Sequence, residues 1–266
     1  MIQTIEKINN INIHYQIKGI ENEKAIVFIH GLSDDLVFWE PLVNEFPDYK
    51  RVSYDLRGHG RSECKNDEAS IDLYQEDLYQ LLNKLNIKEA VFVGLSLGGN
   101  IALKFAIEHP EMTKGLILMS TFSQMTPKLI NIFENFEKAI KNKYENFYDL
   151  ILPFCLPLYM LKTHKELLDN LKSEKAKTAN IDGILGGIHA GPNFNVSNEL
   201  SKIECPTLIF AGSDDEITPI ELQEIIHKNI KNSKMIIFPN TCHNVLIGKN
   251  KAKINSLIKE FLKEVY

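Results

Sequence analysis

The sequence predicts an α/β fold: a mostly parallel, mixed sheet of about eight strands flanked by helices, with a helical cap inserted late in the chain. Three observations carry this. Short apolar runs (Ala25 to Ile29, Arg51 to Tyr54, Ala90 to Val93, Gly115 to Met119, Thr207 to Ala211 and Lys234 to Phe238) alternate with helix-length segments. Runs of that kind suit strands buried on both faces, and their alternation with helices builds βαβ units. Residues 4–19 instead alternate apolar and polar positions through Ile5, Ile8, Ile11, Ile13, Tyr15 and Ile17, with Asn9-Asn10 as the turn of an antiparallel hairpin. Between Phe122 and Glu199 no strand-like run occurs.

The helices follow from periodicity. Ile71, Leu73, Tyr74, Leu78, Leu81, Leu82 and Leu85 recur at three and four, as do Leu257, Ile258, Phe261 and Leu262, and such stripes pack helices onto a sheet. Leu129, Phe133, Phe136, Ile140, Tyr144, Phe147 and Ile151 keep helical spacing for more than twenty positions, after Thr126-Pro127 as N-cap and first residue. Further helical pieces are expected around 161–171 and 181–188, the last softened by Gly183, Gly186 and Gly187. The organisation is therefore a core of residues 1–121 and 199–266 interrupted by a helical cap at 122–198.

Composition sets the limits. The 266 residues carry 30 basic and 35 acidic side chains, net -5, so no basic field recommends nucleic acid as a partner. Hydrophobic residues make up 44%, enough for a core and too many for a disordered chain. Cys64, Cys155, Cys205 and Cys242 lie far apart without metal-ligand spacing, so neither a disulfide framework nor a metal site is expected. No stretch of 18 apolar residues occurs, and MIQTIEKINN has no basic, apolar leader pattern. A cytoplasmic protein without stable membrane association is the expectation, and a homodimer is compatible with the sequence.

Gly94-Leu95-Ser96-Leu97-Gly98 fits G-x-S-x-G, with a strand running in and a helix running out. So tight a strand-to-helix turn exposes the serine hydroxyl, and side chains at the flanking glycines would collide with neighbouring backbone. A serine hydroxyl needs a base to take its proton, and the base needs a carboxylate to orient it. His243 lies just past the strand ending at Phe238; Asp214-Asp215-Glu216 follow the strand ending at Ala211. The other histidines fit less well, and His30 reads as a residue that orders its loop. The oxyanion of acyl transfer needs two N–H donors, which Leu97 and Leu32 are placed to give.

At this point the chain resembles the α/β-hydrolase superfamily, in its capped branch of serine esterases, enol-lactonases, perhydrolases and carbon–carbon bond hydrolases. The resemblance covers nearly the whole length: His30-Gly31, Trp39, Asp55 to Ser62, the Ser96 turn, Cys205 to Leu208, Gly212 to Asp215 and His243. It implies Ser96 as nucleophile, His243 as general base and then acid, Asp215 as its orienter, and Leu32 and Leu97 as oxyanion donors, with no cofactor. The order Ser96, Asp215, His243 is the order of that superfamily. An aspartate nucleophile would mark dehalogenases and epoxide hydrolases, and a tryptophan after the serine proline iminopeptidases; Ser96 and Leu97 depart from both. The expected reaction is hydrolysis of a carboxylic ester of small to medium acyl chain, or of a lactone. The alternatives are perhydrolase or carbon–carbon hydrolase chemistry on the same triad, and a non-enzymatic ligand receptor. Phe133, Phe136, Tyr144, Phe147, Phe154, Leu156, Tyr159 and Met160 are candidates either for an acyl pocket or for the cap's own core.

Overall fold

The computed structural model describes residues 1–65 and 69–266. β1 (Ile2–Ile8) and β2 (Ile11–Lys18) form the expected hairpin, turned by Asn9 and Asn10 at φ 43° and 66°. Those left-handed values suit a two-residue hairpin turn, and asparagine tolerates them. β3 (Ala25–Ile29), β4 (Lys50–Tyr54), β5 (Ala90–Leu95), β6 (Thr113–Met119), β7 (Thr207–Gly212) and β8 (Ser233–Phe238) complete one eight-stranded sheet in the order β1-β2-β4-β3-β5-β6-β7-β8. β2 meets β4 antiparallel, and every pair from β4 to β8 is parallel. Each predicted run is a strand, with its ends moved outward by a residue or two in most cases.

The pleat divides the continuous apolar runs between two cores. Val27 and Ile29 of β3, Phe92 of β5 and Leu116 and Leu118 of β6 face one side, while Ile26, Phe28, Val91, Val93, Ile117 and Met119 face the other. The first core is covered by α2 (Ile71–Lys84), α3 (Leu97–Glu108) and α9 (Ile220–Asn229), the second by the short α1 (Glu40–Val43) and by α10 (Lys251–Val265). Trp39, fully buried, packs its ring against Phe28 and Phe38 in the second core.

Between β6 and β7 lie five helices: α4 (Pro127–Asn142), α5 (Tyr144–Cys155), α6 (Leu158–Thr163), α7 (Lys165–Thr178) and α8 (Ile181–Ala190). Thr126 caps α4 as expected, its hydroxyl accepting from Leu129 N at 3.2 Å. The long periodic stretch is two helices and not one. Lys143, at φ -170° and ψ 158°, is extended and separates them, so the common spacing of Ile140 and Tyr144 spans a corner. The helical piece anticipated at 161–171 likewise divides into α6 and α7. The glycines of α8 do more than soften it: a Cβ on Gly183 would lie 1.8 Å from the Gly58 carbonyl oxygen, so the helix rests directly on the backbone of the loop after β4. Apolar residues of α4 and α8, Phe136 and Ile184 among them, merge into the first core. Among the described residues no helix is long and apolar enough to cross a membrane.

The loop from Asp55 to Ser62 is held from below. Arg57 donates to Asp77 of α2 through Nε at 2.9 Å and Nη2 at 2.6 Å, and Asn9 of the hairpin turn donates to the same carboxylate at 2.8 Å. Both charged side chains are buried, so Asp77→Ala leaves an uncompensated guanidinium and should cost about 3–5 kcal/mol in urea unfolding. A loss below about 1 kcal/mol would show that the pair is not what fixes this loop.

Candidate active site

Ser96 stands between the end of β5 and the start of α3, at φ 52° and ψ -116°. Such a conformation costs of order 1–3 kcal/mol for a residue with a Cβ, and it persists only where neighbours enforce it. Here they do. The Ser96 N–H donates to Met119 O at 2.9 Å, and its carbonyl accepts from Gly99 N, Asn100 N and the Thr121 hydroxyl at 2.8, 3.1 and 2.8 Å. A Cβ on Gly98 would fall 2.1 Å from Ile29 O, and one on Gly94 would fall 2.4 Å from Gly98 O, so strand and helix approach each other only because both positions are glycine.

Asp215 follows β7 and His243 follows β8, each buried. His243 Nδ1 lies 2.8 and 3.0 Å from the two carboxylate oxygens of Asp215. Asp215 also accepts from Ile217 N, Thr218 N and the Thr218 hydroxyl, at 3.0, 2.9 and 2.7 Å. Burial alone would push this carboxyl upward; the His243 ring and the Thr218 donors overcome it and hold it below the usual carboxylate value. Asp214 and Glu216 on either side are exposed, which separates Asp215 from its two acidic neighbours. The backbone N–H of His243 donates to Phe154 O at 3.0 Å, tying this loop to the end of α5.

Ser96 and His243 line one cavity of about 640 Å³, part of it open to solvent. Leu32 and Leu97 line it too, from the loop after β3 and the first turn of α3. Among the described residues no hydrogen bond joins the Ser96 hydroxyl to the imidazole; catalytic hydrogen bonds often tighten only when substrate is bound. His30 is buried and has its ring placed between Gly31 O, 2.8 Å from Nδ1, and Leu56 N, 2.9 Å from Nε2, and burial lowers its pKa, so it orders the loop as a neutral ring. Among the described residues no group of His, Cys, Asp and Glu is arranged to hold a metal ion.

Of the aromatic candidates in the cap, Phe133 and Phe136 reach the cavity, joined by Phe122 and Ile151. Phe147 and Leu156 are buried elsewhere, Tyr159 is exposed, and Tyr144 faces a second, neighbouring cavity. Asp34, Asn100, Gly187, Gly191, Ile217 and Asn244 also line the Ser96 cavity and escaped sequence reasoning, as did Thr218, whose hydroxyl donates to Asp215. Thr218 had a signal, because Asp-x-x-Thr before Pro219 is the pattern of a carboxylate capping the next turn.

The depressed carboxyl has a pH consequence. Asp215 titrates lower in the folded chain than its unfolded value of about 3.9, so its ionisation contributes stability above that value that is lost as pH falls through the folded one. Urea titrations between about pH 5 and pH 3 should therefore show wild type losing more stability than Asp215→Asn. Equal losses would contradict the depressed carboxyl.

Comparison with known proteins agrees with the fold. A protein named as a proline iminopeptidase from Saccharolobus solfataricus is 29% identical over 98% of this chain and 92% of its own. The crystal structure of MGS-M2, an enzyme from a Medee basin deep-sea metagenome library, superposes with a TM-score of 0.91 at 23% identity, covering 98% of this chain and 97% of the other. The enol-lactonase from Burkholderia xenovorans LB400 superposes with a TM-score of 0.88 at 22% identity, covering 98% and 100%. The family model described as alpha/beta hydrolase fold matches residues 24–249. With strand order, serine turn and family match in agreement, this chain belongs to the alpha/beta hydrolase family.

Proposed function

We propose that the protein is a serine hydrolase acting on carboxylic esters of small to medium acyl chain, or on lactones, through an acyl-Ser96 intermediate. The observation that carries this reading is the His243–Asp215 pair at 2.8 Å opening onto the same largely apolar cavity as the strained Ser96. His243 takes the Ser96 proton as Oγ attacks the acyl carbon, and returns it to the leaving alcohol. A water then attacks the acyl-serine, again through His243, and releases the acid. Asp215 fixes the ring so that Nδ1–H points at the carboxylate and Nε2 at the reacting atoms. The Leu32 and Leu97 backbone N–H groups are the proposed donors to the oxyanion, each worth about 3 kcal/mol in such sites.

Phe122, Phe133, Phe136 and Ile151 offer an apolar wall to the acyl chain, and the two in α4, Phe133 and Phe136, would make residues 122–198 a cap that shapes specificity. The fold likeness to an enol-lactonase supports keeping lactones beside linear esters. The same reading has the enzyme working in the cytoplasm on a small molecule, with no cofactor. Ser96→Ala should reduce turnover of a short-chain p-nitrophenyl ester to the uncatalysed background, while leaving the thermal midpoint no lower than wild type's. Wild-type rates in that variant would overturn the assignment.

A further inference from the structure

Two ionisable groups line the Ser96 cavity without a part in the proposed triad, Asp34 and the thiol of Cys155, and the first of them is a carboxyl. Asp34 sits on the loop after β3 and lines both this cavity and the neighbouring one of about 610 Å³, which Asp35, His59, Arg61, Tyr144 and Lys175 also bound. Its neighbour Asp35 is engaged: it accepts from Val37 N at 2.9 Å and from Lys175 Nζ of α7 at 2.5 Å. The carboxyl of Asp34 accepts no hydrogen bond among the described residues. Burial pushes it up to about 7 against the opposing pull of Lys175, a cation already committed to Asp35. The other groups whose charges couple to it are the Asp35 carboxylate, which also pushes it up, His243, Tyr144 and Cys155; the last two stay neutral, both raised above their usual values by burial.

Its distance from the nucleophile is bounded. A Cβ built on Gly31 would lie 3.6 Å from Ser96 Cβ and 3.7 Å from Asp34 Oδ2, so the carboxylate oxygen is no more than about 7.3 Å from Ser96 Cβ, the two distances laid end to end. In an acyl-serine, a substituent on the acyl α-carbon lies about 4 to 5 Å from the serine Cβ by standard bond lengths. A charge-assisted hydrogen bond spans about 2.8 Å more, which together reaches the position of Asp34. Left ionised and unpaired, a carboxylate this close to the forming oxyanion opposes it. A cation placed between the two removes that opposition, and the Lys175 ammonium donates to Asp35, with no hydrogen bond to Asp34 among the described residues.

We propose that Asp34 is a specificity-determining residue whose carboxylate receives a protonated amine on the α-carbon of the acyl group, making aminoacyl esters preferred substrates of this site. The proposal rests on the hydrolase reading above. The amine would sit at the Gly31 side of Ser96, and the remainder of the acyl group would lie toward Phe122, Phe133 and Phe136.

Ethyl propionate, ethyl L-lactate and ethyl L-alaninate differ at the α-carbon by hydrogen, hydroxyl and ammonium, and their hydrolysis can be followed by pH-stat titration at about pH 7, where most of the amine is charged. An α-ammonium activates any ester, so the diagnostic quantity is the change in the alaninate-to-propionate ratio of kcat/KM on substitution. Asp34→Asn, and independently Asp34→Ser, should lower that ratio about tenfold or more, with the lactate-to-propionate ratio changing much less. Labelling of Ser96 by a fluorophosphonate in each variant shows that the site is folded. An unchanged alaninate ratio in the labelled variants, or a fall confined to lactate, overturns the role of Asp34 and leaves the hydrolase reading standing. Failure of wild type to turn over any of the three esters, together with an unlabelled Ser96, overturns both.

Discussion

The site depends on one constraint, the turn that carries Ser96. A strand and a helix are forced to meet within a single residue, and the glycines at 94 and 98 are where that meeting is closest: any side chain at Gly98 would strike Ile29 O at 2.1 Å. The strain at Ser96 is held by four backbone or hydroxyl hydrogen bonds to its own peptide groups and by the parallel sheet on either side. Loosening that turn would let the serine relax to ordinary helical or extended angles and withdraw its hydroxyl from the cavity.

Around this fixed point the sheet delivers the remaining groups. In parallel strands every C-terminal end lies on one side, so the loops after β3, β5, β7 and β8 bring Leu32, Ser96, Asp215 and His243 together although they are far apart in sequence. Two carboxyls within this cluster have opposite environments. Asp215 is buried with a full set of donors and is held low; Asp34 is half-buried, accepts no hydrogen bond among the described residues and is pushed up to about 7. In the proposed reading these divergent carboxyls have different tasks, one orienting the base and the other meeting the substrate.

Much of this was legible in the residues. The hairpin turn at Asn9-Asn10 and the strands at 25–29 and 90–95 announce themselves because backbone sterics and burial on both faces act locally. Chain order pointed to Asp215 and His243 as partners once Ser96 was placed on a strand-to-helix turn, and the structure brings the two together at 2.8 Å. Other features required the tertiary structure. The break at Lys143 lies inside an unbroken apolar stripe, since the residues on both sides find apolar neighbours whether the helix continues or turns a corner. The same stripe divides in space: Phe136 borders the cavity while Phe147, 5.6 Å away edge-on, is core. Asp34 reads in sequence as half of an acidic pair on a loop, and only the commitment of Lys175 from α7 to Asp35 sets it apart. The contact between Gly183 and Gly58 joins segments more than a hundred residues apart and has no sequence signal beyond the glycines themselves.

The central claim is that Ser96 becomes covalently acylated because the turn, His243 and the oxyanion donors activate this one hydroxyl. Its most direct test is reaction with a p-nitrophenyl phosphate triester, read by intact-protein mass and peptide mapping. The account predicts one p-nitrophenol released per chain, one dialkyl phosphoryl group added, and that group on the peptide containing Ser96, with the reaction lost in His243→Gln. A protein that stays unmodified, or one modified at a different residue, would contradict it.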